Sequence, residues 1–177
     1  MRRLIAMAAT LALPACSSAD SATIQIVTGG ETDTFTQSPA PTTLEIDALG
    51  TSGTTTTLAK VSLPASRVDL GSLDETIEAT IEAKGLGAQG ATLVYGSSLP
   101  IAYGSIVGQT VPVFVQRMGQ FARMPAPLSD ARQAPVLAVV QGRYLLSAGG
   151  SEAPSSLTTQ LYDFGQLTSL AAPPSLP

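Results

Sequence analysis

The sequence predicts an all-β fold, on two observations. Apolar and polar residues alternate with period two in short segments from residue 23 to about residue 116. Clusters of Gly, Pro, Ser and Thr stop each segment within a few residues, as turns between strands do. An acidic, sparsely charged chain rich in Thr, Ser and Gly is also common among exported β proteins.

The first strand is read over Thr23–Thr28, where Ile24 and Ile26 alternate with Thr23 and Gln25 until Gly29-Gly30. Thr42–Leu49 repeats the pattern, with Leu44, Ile46 and Ala48 opposed by Thr43, Glu45 and Asp47. Leu58–Leu63 and Arg67–Leu70 follow, divided by Pro64. The run Thr54–Thr57, with Thr51 and Ser52 nearby, reads as a polar hairpin tip.

Thr76–Lys84 is the most instructive segment. Ile77, Ala79, Ile81 and Ala83 alternate with Thr76, Glu78, Thr80, Glu82 and Lys84. Strict alternation argues for a strand with one wet face. A helix competes, because Ile77 and Ile81 also lie four apart and Ala and Glu favour helices, but it would leave Ala79 and Ala83 without a clear apolar stripe. Glu78 and Glu82 are therefore expected on a solvated face that discourages stray strand pairing. Thr92–Tyr95, Ile101–Tyr103 and Val111–Gln116 complete the set. Residues 23–116 thus predict a two-sheet β-sandwich of immunoglobulin-like architecture, without the Cys–Trp–Cys pattern of that family.

The pattern changes after Met118. An apolar run, Val136–Val140, meets a Gly-Arg turn, a second run at Tyr144–Ser147, the pair Gly149-Gly150, a polar loop, and a third run at Thr158–Phe164. Phe121–Pro127 weakly echoes Leu167–Pro173 at an offset of 46 residues. With Arg132 before the first run, Gly142–Leu146, Gly149-Gly150 and Leu161-Tyr162-Asp163, residues 119–177 resemble a kelch repeat. Leu167 stands where kelch repeats usually carry Trp. The resemblance implies a four-stranded blade in which Gly149 and Gly150 permit close backbone packing and Tyr162 packs between strands. One repeat is not a propeller, which closes typically four to eight blades. The expectation is an incomplete propeller blade, truncated, interrupted or completed by another polypeptide, with looser packing than residues 23–116.

The N-terminus carries an address. Met1, Arg2 and Arg3 precede an apolar run from Leu4 to Leu13, and Leu13-Pro14-Ala15-Cys16 follows. A charged tip, a short apolar run and small residues before a cut describe a secretory signal. The run is shorter than the about 20 residues a spanning helix needs. Its end resembles the lipobox of bacterial lipoproteins, which implies cleavage after residue 15 and acylation of Cys16, with residues 16–22 as a lipidated tether. An ordinary thiol behind a conventional cleavage site is the alternative. Several acyl chains would give a stable anchor where one holds only marginally. Ser17 after the cysteine, where Asp favours inner-membrane retention in enteric lipoproteins, points to the outer membrane.

Composition narrows the chemistry. Removal of residues 1–15 takes Arg2 and Arg3 from nine basic residues against 13 acidic ones, leaving a net charge of −6. A nucleic-acid binder needs a basic face, so none is expected as a partner. The chain has no histidine and one cysteine. That removes Ser-His-Asp and Cys-His catalysis, imidazole metal sites and any internal disulfide. Gly85-Leu86-Gly87-Ala88-Gln89-Gly90 matches a dinucleotide fingerprint by spacing, but a strand rather than a helix follows, so it reads as a loop. Glu31 and Asp33 could lend oxygens to calcium, with no further ligands nearby. Four Tyr, four Phe and no Trp argue against a sugar-stacking platform, though Tyr95 and Tyr103 could share a region.

No catalytic, cofactor-binding or metal-binding residue is expected. The sequence reads as a non-catalytic, lipid-anchored envelope protein that engages envelope proteins or glycans. The alternative is an N-terminal piece of a larger kelch-propeller enzyme whose site lies elsewhere.

Overall fold

The computed structural model describes residues 21–128, 133–150 and 159–170. The signal segment 1–15, Cys16, the tether as far as residue 20, Arg132, the polar loop 151–158 and the end of the echo at Pro173 lie outside the described residues. The described chain is all-β, with twelve strands, a single 3₁₀ turn and no α-helix.

Strands β1 (Ser21–Val27), β4 (Arg67–Ser72) and β7 (Thr110–Phe114) form one sheet in the order β4-β1-β7. The β1–β4 pairing is antiparallel and the β1–β7 pairing parallel. A second sheet is wholly antiparallel, in the order β3-β2-β5-β6-β8. Its members are β2 (Thr43–Gly50), β3 (Thr55–Ser62), β5 (Glu78–Leu86), β6 (Thr92–Ala102) and β8 (Gln116–Arg117). Alternation decides which residues face inward. Ile24 and Ile26 of β1, Leu44 and Ile46 of β2, Ala79 and Ile81 of β5, and Val111 and Val113 of β7 meet in one core between the sheets. Burial of each large aliphatic side chain there contributes about 1.5–3 kcal/mol.

Two elements differ from the sequence reading. The segments Thr92–Tyr95 and Ile101–Tyr103 belong largely to one strand, β6. Gly96 and Ser97 in its middle remain paired, and the register with β5 slips between Thr80 and Glu82, across from Ser98 and Leu99. Ser98 fills the gap: its Oγ accepts the Ile81 N–H at 3.0 Å and donates to the Leu99 carbonyl at 2.7 Å. Tyr103 instead opens the 3₁₀ turn Tyr103–Ser105 and is buried in the core, away from Tyr95.

The segment Val111–Gln116 changes sheets. β7 pairs with β1, Val115 donates its N–H to the Val27 carbonyl at 2.8 Å, and β8 then pairs with β6. The crossing brings the Phe114 carbonyl against Gly96, where a Cβ would collide with that oxygen. Glycine is required there by close backbone approach.

The third sheet is an antiparallel meander, β9 (Val136–Val140), β10 (Tyr144–Ala148), β11 (Thr159–Asp163) and β12 (Thr168–Leu170), in the order β12-β11-β10-β9. Gln141 and Gly142 turn β9 into β10 with φ of 53° and 64°, the positive pair of a type I′ hairpin. The turn spans Gln141-Gly142-Arg143, one residue longer than the Gly-Arg expected, and Arg143 donates its N–H to the Val140 carbonyl. None of this sheet's residues joins the main core. Its buried positions are Tyr162 and the polar Ser147, Thr159, Gln160 and Asp163, while Val136, Leu137, Val139 and Val140 of β9 are exposed.

Candidate functional site

Parts of all three sheets meet around a cleft of about 700 Å³. One wall is the outer part of β6, from Ser97 to Ala102; a second is the 3₁₀ turn and β7, including Gln109 and Pro112. The third sheet supplies the hairpin tip Gln141-Gly142-Arg143 and the turn Phe164-Gly165-Gln166.

Arg143 and Asp163 shape that third wall. Arg143 Nε and Nη2 donate to the two Asp163 oxygens at 3.0 and 2.8 Å, a bidentate pair. Asp163 Oδ1 also accepts the Gly165 N–H at 2.7 Å, and Gln166 N–H lies at 3.3 Å from it. One carboxylate thus fixes both the β9–β10 hairpin and the β11–β12 turn. The Arg143 guanidinium holds the buried Asp163 carboxyl below the usual carboxylate range, and the same bond raises Arg143. Arg143 also lies 5.3 Å from the Tyr144 ring centroid. Beside it, Tyr162 meets Phe164 edge to face at 5.6 Å, and burial pushes the Tyr162 phenol up.

The segment before the third sheet is tied to the loop that follows β1. Arg123 donates from its backbone N–H and Nε to Glu31 at 3.0 and 3.3 Å and from Nη2 to the Gly30 carbonyl at 3.2 Å. A Cβ at Gly29 would strike the Arg123 carbonyl. Glu31 is thereby committed to Arg123. Among the described residues no group of three or more His, Cys, Asp or Glu is placed to hold a metal ion.

Two polar clusters serve the scaffold. Arg117 of β8 is 9 % exposed and donates from Nη1 to the Thr34 and Gln37 carbonyls at 3.2 and 3.1 Å. Its Nη2 reaches the Pro39 carbonyl at 3.0 Å, so one guanidinium pins the loop between β1 and β2. On the outward face of the five-stranded sheet, Lys84 Nζ lies 2.8 Å from both Asp47 Oδ2 and Glu82 Oε2, and Tyr95 donates to Glu82 Oε1 at 2.7 Å. This corrects the expectation for Glu82. It shares the outward row with the exposed Glu78 but is 9 % exposed itself, because Asp47 opposes it directly on β2 and Lys84 and Tyr95 fold over it. The Lys84 bond holds the Glu82 carboxyl below its usual value. Burial pulls the Lys84 ammonium down, but its bonds to Asp47 and Glu82 outweigh that and raise it above the ordinary lysine range.

Of the residues singled out from sequence, Asp163 reaches the cleft only through its pair with Arg143, Tyr162 lines a separate hollow with Leu145 and Phe164, and Gly149 and Gly150 follow β10 with φ of 69° and 99°. The expected reason for Gly149 needs correcting: among the described residues a Cβ there would meet nothing within 4 Å, and the positive φ is what calls for glycine. The six-residue glycine motif is the end of β5 and a tight turn, with Gly90 N–H donating to the Gly87 carbonyl. The hairpin tip expected at Thr54–Thr57 falls at Thr51-Ser52-Gly53, and Thr55–Thr57 belong to β3. The roles of Arg117, Arg123 and Arg143 were not read from sequence. In a chain of nine basic residues, each isolated arginine beside a turn was the available signal.

Comparison with protein-family models, curated proteins and solved structures found no match to this chain. Among the described residues no helix is long and apolar enough to cross a membrane.

Proposed function

We propose that this chain is a non-catalytic lipoprotein of the bacterial cell envelope, anchored through Cys16, whose β-structure engages envelope proteins or glycans. The observation that carries the reading is the leader: Arg2-Arg3, the apolar run and Leu13-Pro14-Ala15 ahead of the chain's one cysteine. Acylation at that residue places the tether at the membrane, and Ser17 favours the outer membrane. The two sheets around one core support an immunoglobulin-like sandwich acting as a spacer. The four-stranded meander supports a kelch-like blade, with Gly149 and Gly150 in positive φ after its second strand and Tyr162-Asp163 in its third. The absence of histidine and of a second cysteine from the sequence supports a binding role over nucleophilic catalysis.

Metabolic labelling with radioactive palmitate tests the reading. The native chain is expected to take up label and partition with membranes, and Cys16→Ala to do neither. A mature chain whose Cys16 is unmodified, or from which the leader is not removed, overturns it.

A further inference from the structure

We propose that the cleft at the meeting of the three sheets binds an uncharged oligosaccharide, an inference that rests on the binding role above and specifies its ligand. The cleft's volume of about 700 Å³ lies within the range of small-ligand sites. Its lining mixes polar and apolar groups in about equal parts, and its one charged side chain, Arg143, is paired with Asp163. Gln109, Gln141 and Gln166 line it, and an amide both donates and accepts, which suits the adjacent hydroxyls of a sugar ring; Gln109 Nε2 already donates to the Ser105 carbonyl at 3.1 Å, which leaves its oxygen and second N–H. Arg143 is neutralised by Asp163 through Nε and Nη2, which leaves Nη1 as a further donor. Phe164 adds an apolar ring for the C–H face of a sugar.

A peptide strand is the competing occupant, since two of the walls are sheet edges. β7 ends its sheet, and β8 pairs with β6 only at Val94 and Tyr95, leaving the outer part of β6 beyond that pairing. Both edges carry proline, Pro100 on β6 and Pro112 on β7. Proline offers no N–H to an incoming strand, a device that blunts edges against strand addition. These walls favour a ligand recognised by discrete hydroxyls over one recognised by backbone pairing.

Gln141 supplies an independent mark. It holds φ of 53°, a conformation for which type I′ turns select Asn, Asp or Gly. A strained residue at a cleft rim points to a role for its side chain.

Gln141→Gly gives the cleanest test, because glycine suits that backbone and removes only the side chain. The full acylated chain in detergent would be titrated calorimetrically with cellotetraose, chitotetraose and maltotetraose, and with a neutral extended peptide. At least one oligosaccharide should bind saturably. Gln141→Gly should weaken it roughly tenfold, the loss of one or two hydrogen bonds, with melting unchanged or raised. Binding of none of the three sugars, binding of the peptide alone, or equal sugar binding by Gln141→Gly overturns the inference. Failure here with palmitate incorporated at Cys16 leaves the anchored-protein reading standing, whereas an unlabelled chain that still binds sugar removes the anchor alone.

Discussion

Arg117 offers the sharpest test of how the loop between β1 and β2 is held. The residue sits on the two-residue strand β8, and its guanidinium reaches three carbonyls of the loop between β1 and β2. Among the described residues its hydrogen bonds all run to backbone oxygens, so its contribution is a fork of donors rather than an ion pair. A hydrogen bond to a charged group contributes about 1.5–3 kcal/mol net. Gln37 and Pro39 are exposed, so water can replace the donor at two of the three carbonyls, whereas Thr34 is buried. Arg117→Met, which keeps the apolar stem, is therefore expected to cost about 2–4 kcal/mol rather than the sum of three full bonds. For a chain of this length that lowers Tm by roughly 5–15 °C.

Urea unfolding followed by far-ultraviolet circular dichroism would measure the loss, and hydrogen exchange would locate it. Exchange should accelerate at the Thr36 and Gln37 amides, which bond to the Asp33 carbonyl within the pinned loop. Arg117→Lys should recover less than half of the stability, because an ammonium cannot span three acceptors as the planar fork does. A methionine variant within about 0.5 kcal/mol of the native chain, the range of ordinary surface substitutions, would refute the clamp. Full rescue by lysine would show that charge rather than geometry is what matters.

Gly149→Ala should cost about 1–2 kcal/mol, the strain of a left-handed conformation for a residue with a Cβ; a urea-melt loss well above that would restore crowding as the reason for glycine. Asp163 and Glu82 both have lowered folded-state pKa values, so their stabilisation is fully present above the unfolded carboxylate values of about 4 and is lost as pH falls through the folded values. Lys84 is raised, so its stabilisation is present below about 10.4 and is lost as pH rises further. Thermal melts from pH 2 to 11 should show a broad plateau with an acid limb below about pH 4, and Asp163→Asn together with Glu82→Gln should flatten that limb.

Alternation carried most of the fold into view. Ile24, Leu44, Ile46 and Ile81 are buried and their polar neighbours face outward, because period two is imposed by the pleat itself. Turn chemistry marked most strand ends for the same local reason. Which strand joins which sheet is a different kind of information. Nothing within Val111–Gln116 announces that β7 pairs with β1 and β8 with β6, since the crossing depends on Gly96, far off in the sequence, yielding space to the Phe114 carbonyl. Ser98 likewise reads as a strand breaker, and only the slipped register across from Ile81 turns its hydroxyl into a substitute for a ladder bond.

The polar sites were least legible because alternation sorts residues by face and says nothing about what covers the face. Glu82 obeys its period and points away from the core, yet Asp47, Lys84 and Tyr95 enclose it. Burial on that side depends on three residues from β2, β5 and β6 arriving together. Asp163 follows the same logic. As part of a Tyr-Asp pair it could be assigned to a blade-like repeat, but its work depends on Arg143, 20 residues earlier, and on the Gly165 N–H. Both bonds exist because β10 and β11 pair Tyr144 directly with Asp163. A one-residue slip in that pairing would send the carboxylate to the opposite face and dismantle the third wall of the cleft while leaving every strand intact. The cleft is thus a property of the β10–β11 register, because the Arg143–Asp163 pair across it couples the turn that joins β9 to β10 with the turn that joins β11 to β12.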